Sequence, residues 1–399
     1  MNLTKVDLSG KNVLVTGGTG FIGGRLIERL VRDCGAKVRA LVRNYSRAAR
    51  ISRYPVEIVK SNIIDGDAVQ AVVAGSDIII NCMASTDGNN ANQRRVNVEG
   101  TRNLLNAAVS HKVERIVHIS TINAYGAVGD GDLDETRERM YAGDVYSDSK
   151  LNAEKLAFEY YKSHQLPVSV LQPTIVFGPF GPAWTTRIIN ELKTGRVILV
   201  DGGSGLCNVV YVDDVVSAIL LAVTKTEAIG EAFLISGKEP ITWRDFYLGH
   251  AKMLGNNNVV DMPFAEAERF FRKSVKKKKL IQESLEILLD YSDVRWRVKE
   301  TNEVQAMTRL ARTLVPAKIR STLKRGLTGA PASDENQSEP QEKLPPIHFS
   351  HPAVLRFQMA KTNVRIDKAQ KLLGYNPAFD FEAGLNKIAD WANWAGLIQ

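Results

Sequence analysis

The sequence predicts a doubly wound parallel α/β sheet with a smaller C-terminal substrate lobe. Three observations carry this. Apolar runs of strand length alternate with helix-period segments through the first half of the chain. The run Asp77-Ile78-Ile79-Ile80-Asn81 is apolar without alternation, as a strand covered on both faces should be. The first strand runs straight into a glycine-rich turn and then an amphipathic helix. At 399 residues the chain is too long for one ordinary core and suits two lobes, or a domain with an insertion. Its 44% apolar and 24% charged residues exclude wholesale disorder.

The elements follow in order. Residues 12–16 form a strand, and Ile22, Leu26, Ile27, Leu30 and Val31 recur at helical spacing after it. Strands are expected at 38–42, 56–59, 77–81, 115–120 and 168–171. Helices are expected at 97–109 and 146–162. After Pro173 the pattern becomes irregular, and 178–182 (Gly-Pro-Phe-Gly-Pro) is a loop. A strand at 209–212 and an apolar helix to Val223 return to the regular style. The closing helix is Phe381 to Trp394. This gives a dinucleotide-binding domain over 1–172, with a returning strand and helix near 208–236, and a substrate lobe over 173–399.

The glycines of Val15-Thr16-Gly17-Gly18-Thr19-Gly20-Phe21-Ile22-Gly23 fall at 17, 20 and 23, between strand and helix. Gly17 permits the tight turn, Gly20 lets backbone approach a pyrophosphate, and Gly23 lets helix and strand pack closely. The helix N-terminus offers free N–H groups and the positive end of its dipole to phosphates. This is the Rossmann arrangement, with Thr19, Phe21 and Ile22 among the cofactor-binding residues. The acidic ribose ligand expected at the end of the second strand is replaced by Arg43, with Arg47 nearby. A guanidinium suits a 2′-phosphate, so NADP is favoured over NAD.

Tyr146 and Lys150 stand at i and i+4 and share one helix face. A phenol is too weak an acid to act as a base at neutral pH unaided. An ammonium and a nicotinamide's positive charge favour the phenolate. The phenol can then exchange a proton with a hydroxyl or carbonyl while hydride moves. The strand ending at Ser120-Thr121 places a hydroxyl beside the pair.

With these motifs the chain resembles the extended short-chain dehydrogenase/reductase family, of the sugar epimerase/dehydratase type. Further matches are Asn97-Val98-Glu99-Gly100-Thr101, Tyr125-Gly126, Pro173 to Pro179, Tyr211-Val212-Asp213-Asp214 and Leu373 to Pro377. The resemblance covers 10–255 and 362–395. It implies that Tyr146 is the general acid/base, that Lys150 binds the nicotinamide ribose and lowers the Tyr146 pKa, and that Thr121 polarises the reacting oxygen. It places Asn62 and Ile63 at the adenine, Met83, Ala84 and Ser85 along the cofactor, and Pro173, Ile175 and Val176 beside the nicotinamide. It also implies a homodimer. The sugar dehydratases of this family carry Asp-Glu after the catalytic Thr, where this chain has Ile122 and Asn123. Neither transfers a proton as a carboxyl does, so 4,6-dehydration is disfavoured.

Two functions follow. One is NAD(P)-dependent epimerisation, reduction or oxidation of a nucleotide- or lipid-linked sugar. The other is NADP-dependent carbonyl reduction of a non-sugar, like the hydroxysteroid and dihydroflavonol enzymes of the same superfamily. Asn123, Tyr125 and Thr86 are substrate-pocket candidates by position.

The net charge of +8 has one source: residues 265–330 hold 16 basic and 8 acidic residues, and the remainder is neutral in sum. Lys276 to Lys279 are consecutive, with apolar helix faces around them. Such a basic helical insertion can meet an anionic membrane surface. No recognition motif points to nucleic acid. Residues 331–346 read as a disordered linker. Three distant cysteines and scattered histidines offer no disulfide framework and no metal site. No signal peptide or membrane span is expected, so the chain reads as cytoplasmic, with peripheral contact to the inner membrane face as its possible addition.

Overall fold

The computed structural model describes residues 4–86, 89–272, 345–348, 355 and 357–398. It divides into two compact units, Met1–Phe264 with Pro346–Gln399, and Ala265–Pro345. Of the second unit only 265–272 and 345 are described. The four lysines at 276–279, nearly all of the basic insertion and nearly all of the expected linker therefore lie outside the described residues.

The first unit is built on a seven-stranded parallel sheet. Its strands are β1 (Asn12–Thr16), β2 (Lys37–Val42), β3 (Val56–Lys60), β4 (Ile78–Asn81), β5 (Arg115–Ile119), β6 (Val168–Pro173) and β7 (Ala232–Ile235). Their spatial order is 7-6-5-4-1-2-3. The chain reverses direction of growth between β1 and β4. That switch point is where an open α/β sheet leaves a crevice at the carboxyl ends of its strands.

The strands are apolar on both sides because helices cover both faces. Val13, Val15, Ile78 and Ile80 pack on one face with Leu26 and Ile27 of α1 (Phe21–Arg32). Leu14 and Ile79 face the other way, toward α2 (Gly66–Val73), α3 (Gly100–Ser110) and α4 (Val145–His164). Alternate residues of one strand thus serve two cores, which explains the unbroken isoleucine run.

The expected strand at 209–212 takes another place. Val209–Tyr211 pairs with Ile175–Phe177 rather than joining the main sheet. The strand that does return to the sheet is β7, beside β6. Between them α5 (Val212–Thr224) packs on the α1 face. A third core gathers Phe177, Ile188 and Leu192 with Trp243 and Phe246 of α6 (Trp243–Met253) and Ile388 of α7 (Phe381–Trp394). Here also Arg196–Val200 is flanked by Val259–Met262 and Ile347–His348, both parallel to it.

Asp213 and Asp214 tie the parts together. Asp213 pairs with Arg25 of α1 at 2.7 Å. Asp214 accepts from the backbone N–H groups of Ala378 (2.7 Å) and Phe379 (3.2 Å), holding the C-terminal segment. Burial raises its carboxyl to about 6, against the lowering effect of those two bonds.

Candidate active site

The glycine turn is shaped by close approach. Gly17 has φ +68, and a Cβ there would stand 2.7 Å from the Cys82 carbonyl oxygen. A Cβ on Gly23 would lie 2.3 Å from the Gly17 carbonyl oxygen. The α1 N-cap is Gly20, with no side-chain cap and no acid in the first turn. Its N–H groups are left to an anion, at the β1/β4 switch point. These residues fit a dinucleotide pyrophosphate. We expect Gly23→Ala to abolish the stabilisation that nucleotide confers. At a hundredfold excess over Kd that stabilisation is about 2.7 kcal/mol. Thermal shift with NADP or NAD measures it, and an undiminished shift would refute the cradle.

Polar groups run across the strand ends in register. Thr16 faces Asn81 and Asn81 faces His118. The Thr16 hydroxyl donates to Asn81 Oδ1 at 2.6 Å, and the Met83 N–H donates to the same oxygen at 3.3 Å. That fixes the amide, so Asn81 Nδ2 donates to His118 Nδ1 at 3.0 Å. The proton of His118 therefore sits on Nε2, which has no hydrogen-bond partner among the described residues. Burial, reinforced by the Lys150 charge, keeps this imidazole neutral. His118 is a polar-partnered core residue.

The catalytic candidates meet beside this row. Asp144 caps α4 by accepting from the Ser147 N–H at 2.9 Å, which starts the helix just before Tyr146. Lys150 lies one turn on, 2% exposed, and its Nζ donates to the Ile119 carbonyl at 2.5 Å. Burial pushes its ammonium down to about 8. Burial also pushes the neighbouring Cys82 thiol up to about 12. Burial, then the Asp144 carboxylate, raises the Tyr146 phenol above its ordinary value, which corrects the lowering expected from Lys150: desolvation outweighs the ammonium in this site. The Thr121 hydroxyl caps the turn Ile122–Tyr125 by accepting from the Asn123 N–H at 3.3 Å. The Ser120 hydroxyl is buried without a partner among the described residues.

A cavity of about 460 Å³ joins glycine turn and catalytic group. Gly17, Gly20, Phe21, Ile22, Gly23, Ala84, Thr121, Tyr146, Lys150, Pro173, Ile175 and Val176 all line it. Thr19, Arg43, Asn62, Ile63, Met83 and Ser85 lie outside this wall. Arg43 and Arg47 are exposed on the loop after β2, and no carboxylate lies among 43–47. Asn62 is exposed, and its Oδ1 accepts from the Ile64 N–H at 3.3 Å. Ile63 is buried and Met83 packs on the same core, against Gly100. Ser85 is clamped by Asn97, whose amide bonds its N–H (2.7 Å), its carbonyl (3.1 Å) and Ser149 of α4 (2.9 Å).

Of the three substrate-pocket candidates, Asn123 lines the cavity. Tyr125 does not: it is fully buried, and its hydroxyl donates to Gln172 at 2.9 Å. Thr86 is exposed, and its carbonyl accepts from Gln93 at 3.2 Å. Both are corrected: position in sequence placed them near the site, but packing turned one into the core and left the other on the surface. Trp184, Leu206, Trp243 and Phe357 line the cavity and carry no motif that would have revealed them.

The family model for NAD dependent epimerase/dehydratase proteins matches residues 13–236. The chain belongs to that family. It is therefore an enzyme of the NAD(P)-dependent short-chain dehydrogenase/reductase type. It is 29% identical over 241 residues to a 4-hydroxy-2-methyl-3-oxo-4-farnesyl-3,4-dihydroquinoline-1-oxide ketoreductase of Stigmatella aurantiaca, covering 58% of this chain and 70% of that protein. It is 32% identical over 255 residues to a dTDP-glucose 4,6-dehydratase of Streptomyces niveus, covering 58% and 74%. Its fold matches that of a dTDP-glucose 4,6-dehydratase of Bacillus anthracis, solved with NAD. The TM-score is 0.66 at 19% identity, over 96% of this chain and 97% of that one. No helix among the described residues is long and apolar enough to cross a membrane.

Proposed function

We propose that this family member exchanges hydride with a hydroxyl or keto carbon, using Tyr146, Lys150 and Thr121. The observation that carries the reading is their presence, with the glycine turn, on the wall of one cavity. A nicotinamide bound there supplies hydride acceptance or donation. Tyr146 Oη gives its proton to the carbonyl oxygen during reduction and takes it from the hydroxyl during oxidation. The Thr121 hydroxyl donates to the same oxygen and holds it in place. Lys150, held by the Ile119 carbonyl, anchors the ribose. A raised phenol pKa keeps Tyr146 protonated at neutral pH, which favours its service as an acid in reduction.

Dehydration remains disfavoured on residue chemistry, since Ile122 and Asn123 occupy the acid pair's places, although named relatives include 4,6-dehydratases. Both substrate classes, a nucleotide- or lipid-linked sugar and a non-sugar ketone, are compatible with this proton path.

NADP is the proposed cofactor, supported by Arg43 and Arg47 without a nearby carboxylate. We expect Arg43→Ala to raise KM for NADPH about tenfold, the scale of one exposed charge-assisted hydrogen bond. The KM for NADH should barely move. Equal changes for both cofactors would refute the 2′-phosphate role. A homodimer, a cytoplasmic setting and contact of the basic insertion with anionic lipid complete the proposal. Vesicle sedimentation of the full chain with and without phosphatidylserine tests the last of these, and equal pelleting would remove it.

A further inference from the structure

From the wall beyond the catalytic group, we propose that the substrate is an uncharged amphiphile: one reacting carbonyl or hydroxyl on an alkyl, prenyl or fused-ring body. This rests on the hydride-transfer reading above and names its substrate class. Past Thr121 and Asn123 the cavity is lined by Val128, Trp184, Leu206, Trp243 and Phe357. These come from separate parts of the chain. Trp184 packs against Trp243 in a tilted pair with ring centres 5.7 Å apart, and Phe357 is 42% exposed.

Asn208 and Thr362 on this wall are already satisfied, while the Trp243 indole N–H is buried without a partner among the described residues. Asn208 donates to the Thr362 carbonyl at 2.8 Å and accepts from the Val364 N–H at 3.1 Å. The Thr362 hydroxyl donates to the Gly129 carbonyl at 2.7 Å. At the catalytic group the Ser120 hydroxyl likewise has no partner among the described residues. The described lining residues include no Arg, His, Asp or Glu, and their lone cation, Lys150, is bound to the Ile119 carbonyl.

A nucleotide sugar brings a diphosphate with two negative charges. Moving these against tryptophan and leucine, with no cation but the engaged Lys150 among the described lining residues to receive them, carries a heavy desolvation cost. An apolar body costs nothing of the kind and gains from every methylene buried. A reacting carbonyl at its end meets Thr121 and Tyr146. Reduction then consumes one NAD(P)H and one proton per ketone and yields the secondary alcohol and NAD(P)+.

The test uses the full chain saturated with NADP, with intrinsic tryptophan fluorescence as the binding readout. The probes are the 2-alkanones from 2-pentanone to 2-nonanone, and UDP-glucose and dTDP-glucose. NADPH oxidation is followed in parallel. Affinity is expected to rise about fourfold per methylene, with no response to either nucleotide sugar. Leu206→Arg should weaken alkanone binding at least tenfold and leave NADP binding unchanged. A flat chain-length series, or nucleotide-sugar binding as tight as that of 2-nonanone, overturns the substrate class. If nucleotide sugars are turned over and Tyr146→Phe stops this, hydride transfer stands and only the substrate class falls. If NADP itself does not bind, the underlying reading falls with it.

Discussion

Tyr146→Phe is expected to lower turnover by about 10²- to 10⁴-fold, the range for loss of one positioned proton donor. It removes a single oxygen from a helix already started by the Asp144 cap, so the melting temperature should stay within about a degree. Lys150→Met should be as damaging to turnover but should act oppositely on stability. The folded protein holds the Lys150 ammonium at about 8, below its unfolded value of about 10.4. In the window between these values the unfolded chain binds the extra proton. Stability from this group therefore rises with pH from about 8 to about 10.4, and below about 8 the full cost of burying the charge is present. That cost is roughly 3 kcal/mol, less about 1 kcal/mol for the hydrogen bond to Ile119 that the variant loses. The Met variant should thus melt a few degrees higher than the parent at pH 7, the difference should vanish at about pH 9.7, and above that the variant should be slightly the less stable. Reduction by the parent should decline above about pH 8, as the ammonium is lost. Melting curves across pH and initial rates measure these separately. A Met variant that is less stable at every pH would show that Lys150 supports the fold rather than straining it.

Much of the frame was legible because it depends on local periodicity. Asn12–Thr16 and Phe381–Trp394 stand where the pattern put them, and the other sheet strands up to β6 shift by a residue or two. The glycine turn and the Tyr146/Lys150 pair were legible for a different reason. Close backbone approach admits only glycine, and i, i+4 spacing fixes a helix face. What failed was partnership over long sequence distance. Val209–Tyr211 has the composition of a sheet strand, and nothing local tells it to join Ile175–Phe177 instead. Position alone makes Tyr125 a pocket candidate, and only the fold brings Gln172 to its hydroxyl. The apolar cavity wall is assembled from residues more than two hundred positions apart, such as Val128 and Phe357. Each is an ordinary hydrophobic residue until the chain closes around it. His118 lies between: its strand was readable, but its tautomer follows only from the Asn81 amide that the sheet register brings beside it.

Glu154→Ala is expected to cost about 3–5 kcal/mol, the largest stability loss of any single change considered. Glu154 stands one turn beyond Lys150 on α4 and is wholly buried. Its carboxylate is bonded to the Arg139 guanidinium and accepts both Gln172 Nε2 contacts, at 2.9 and 3.0 Å. Gln172 in turn accepts from Tyr125, and Arg139 lies over the Tyr125 and Phe158 rings at 5.6 and 5.9 Å. Removing the carboxylate strands a guanidinium that is three-quarters buried and the donors of an internal amide. Glu154→Gln should also destabilise, since its NH₂ would face the donors of Arg139 and Gln172. For a unit of this size the alanine variant should lose about 6–15 °C in melting temperature. Arg139→Met with Glu154→Leu removes both charges together and should lose far less than the two single changes combined. Additive losses would mean that the pair is not the organising contact. The network also ties α4, which carries Tyr146 and Lys150, to β6 and to the turn that Thr121 caps. Loosening it should lower kcat about tenfold at temperatures where the variant is still folded, with cofactor affinity nearly unchanged. A kcat equal to the parent's would separate the stability of this helix from the alignment of its catalytic face.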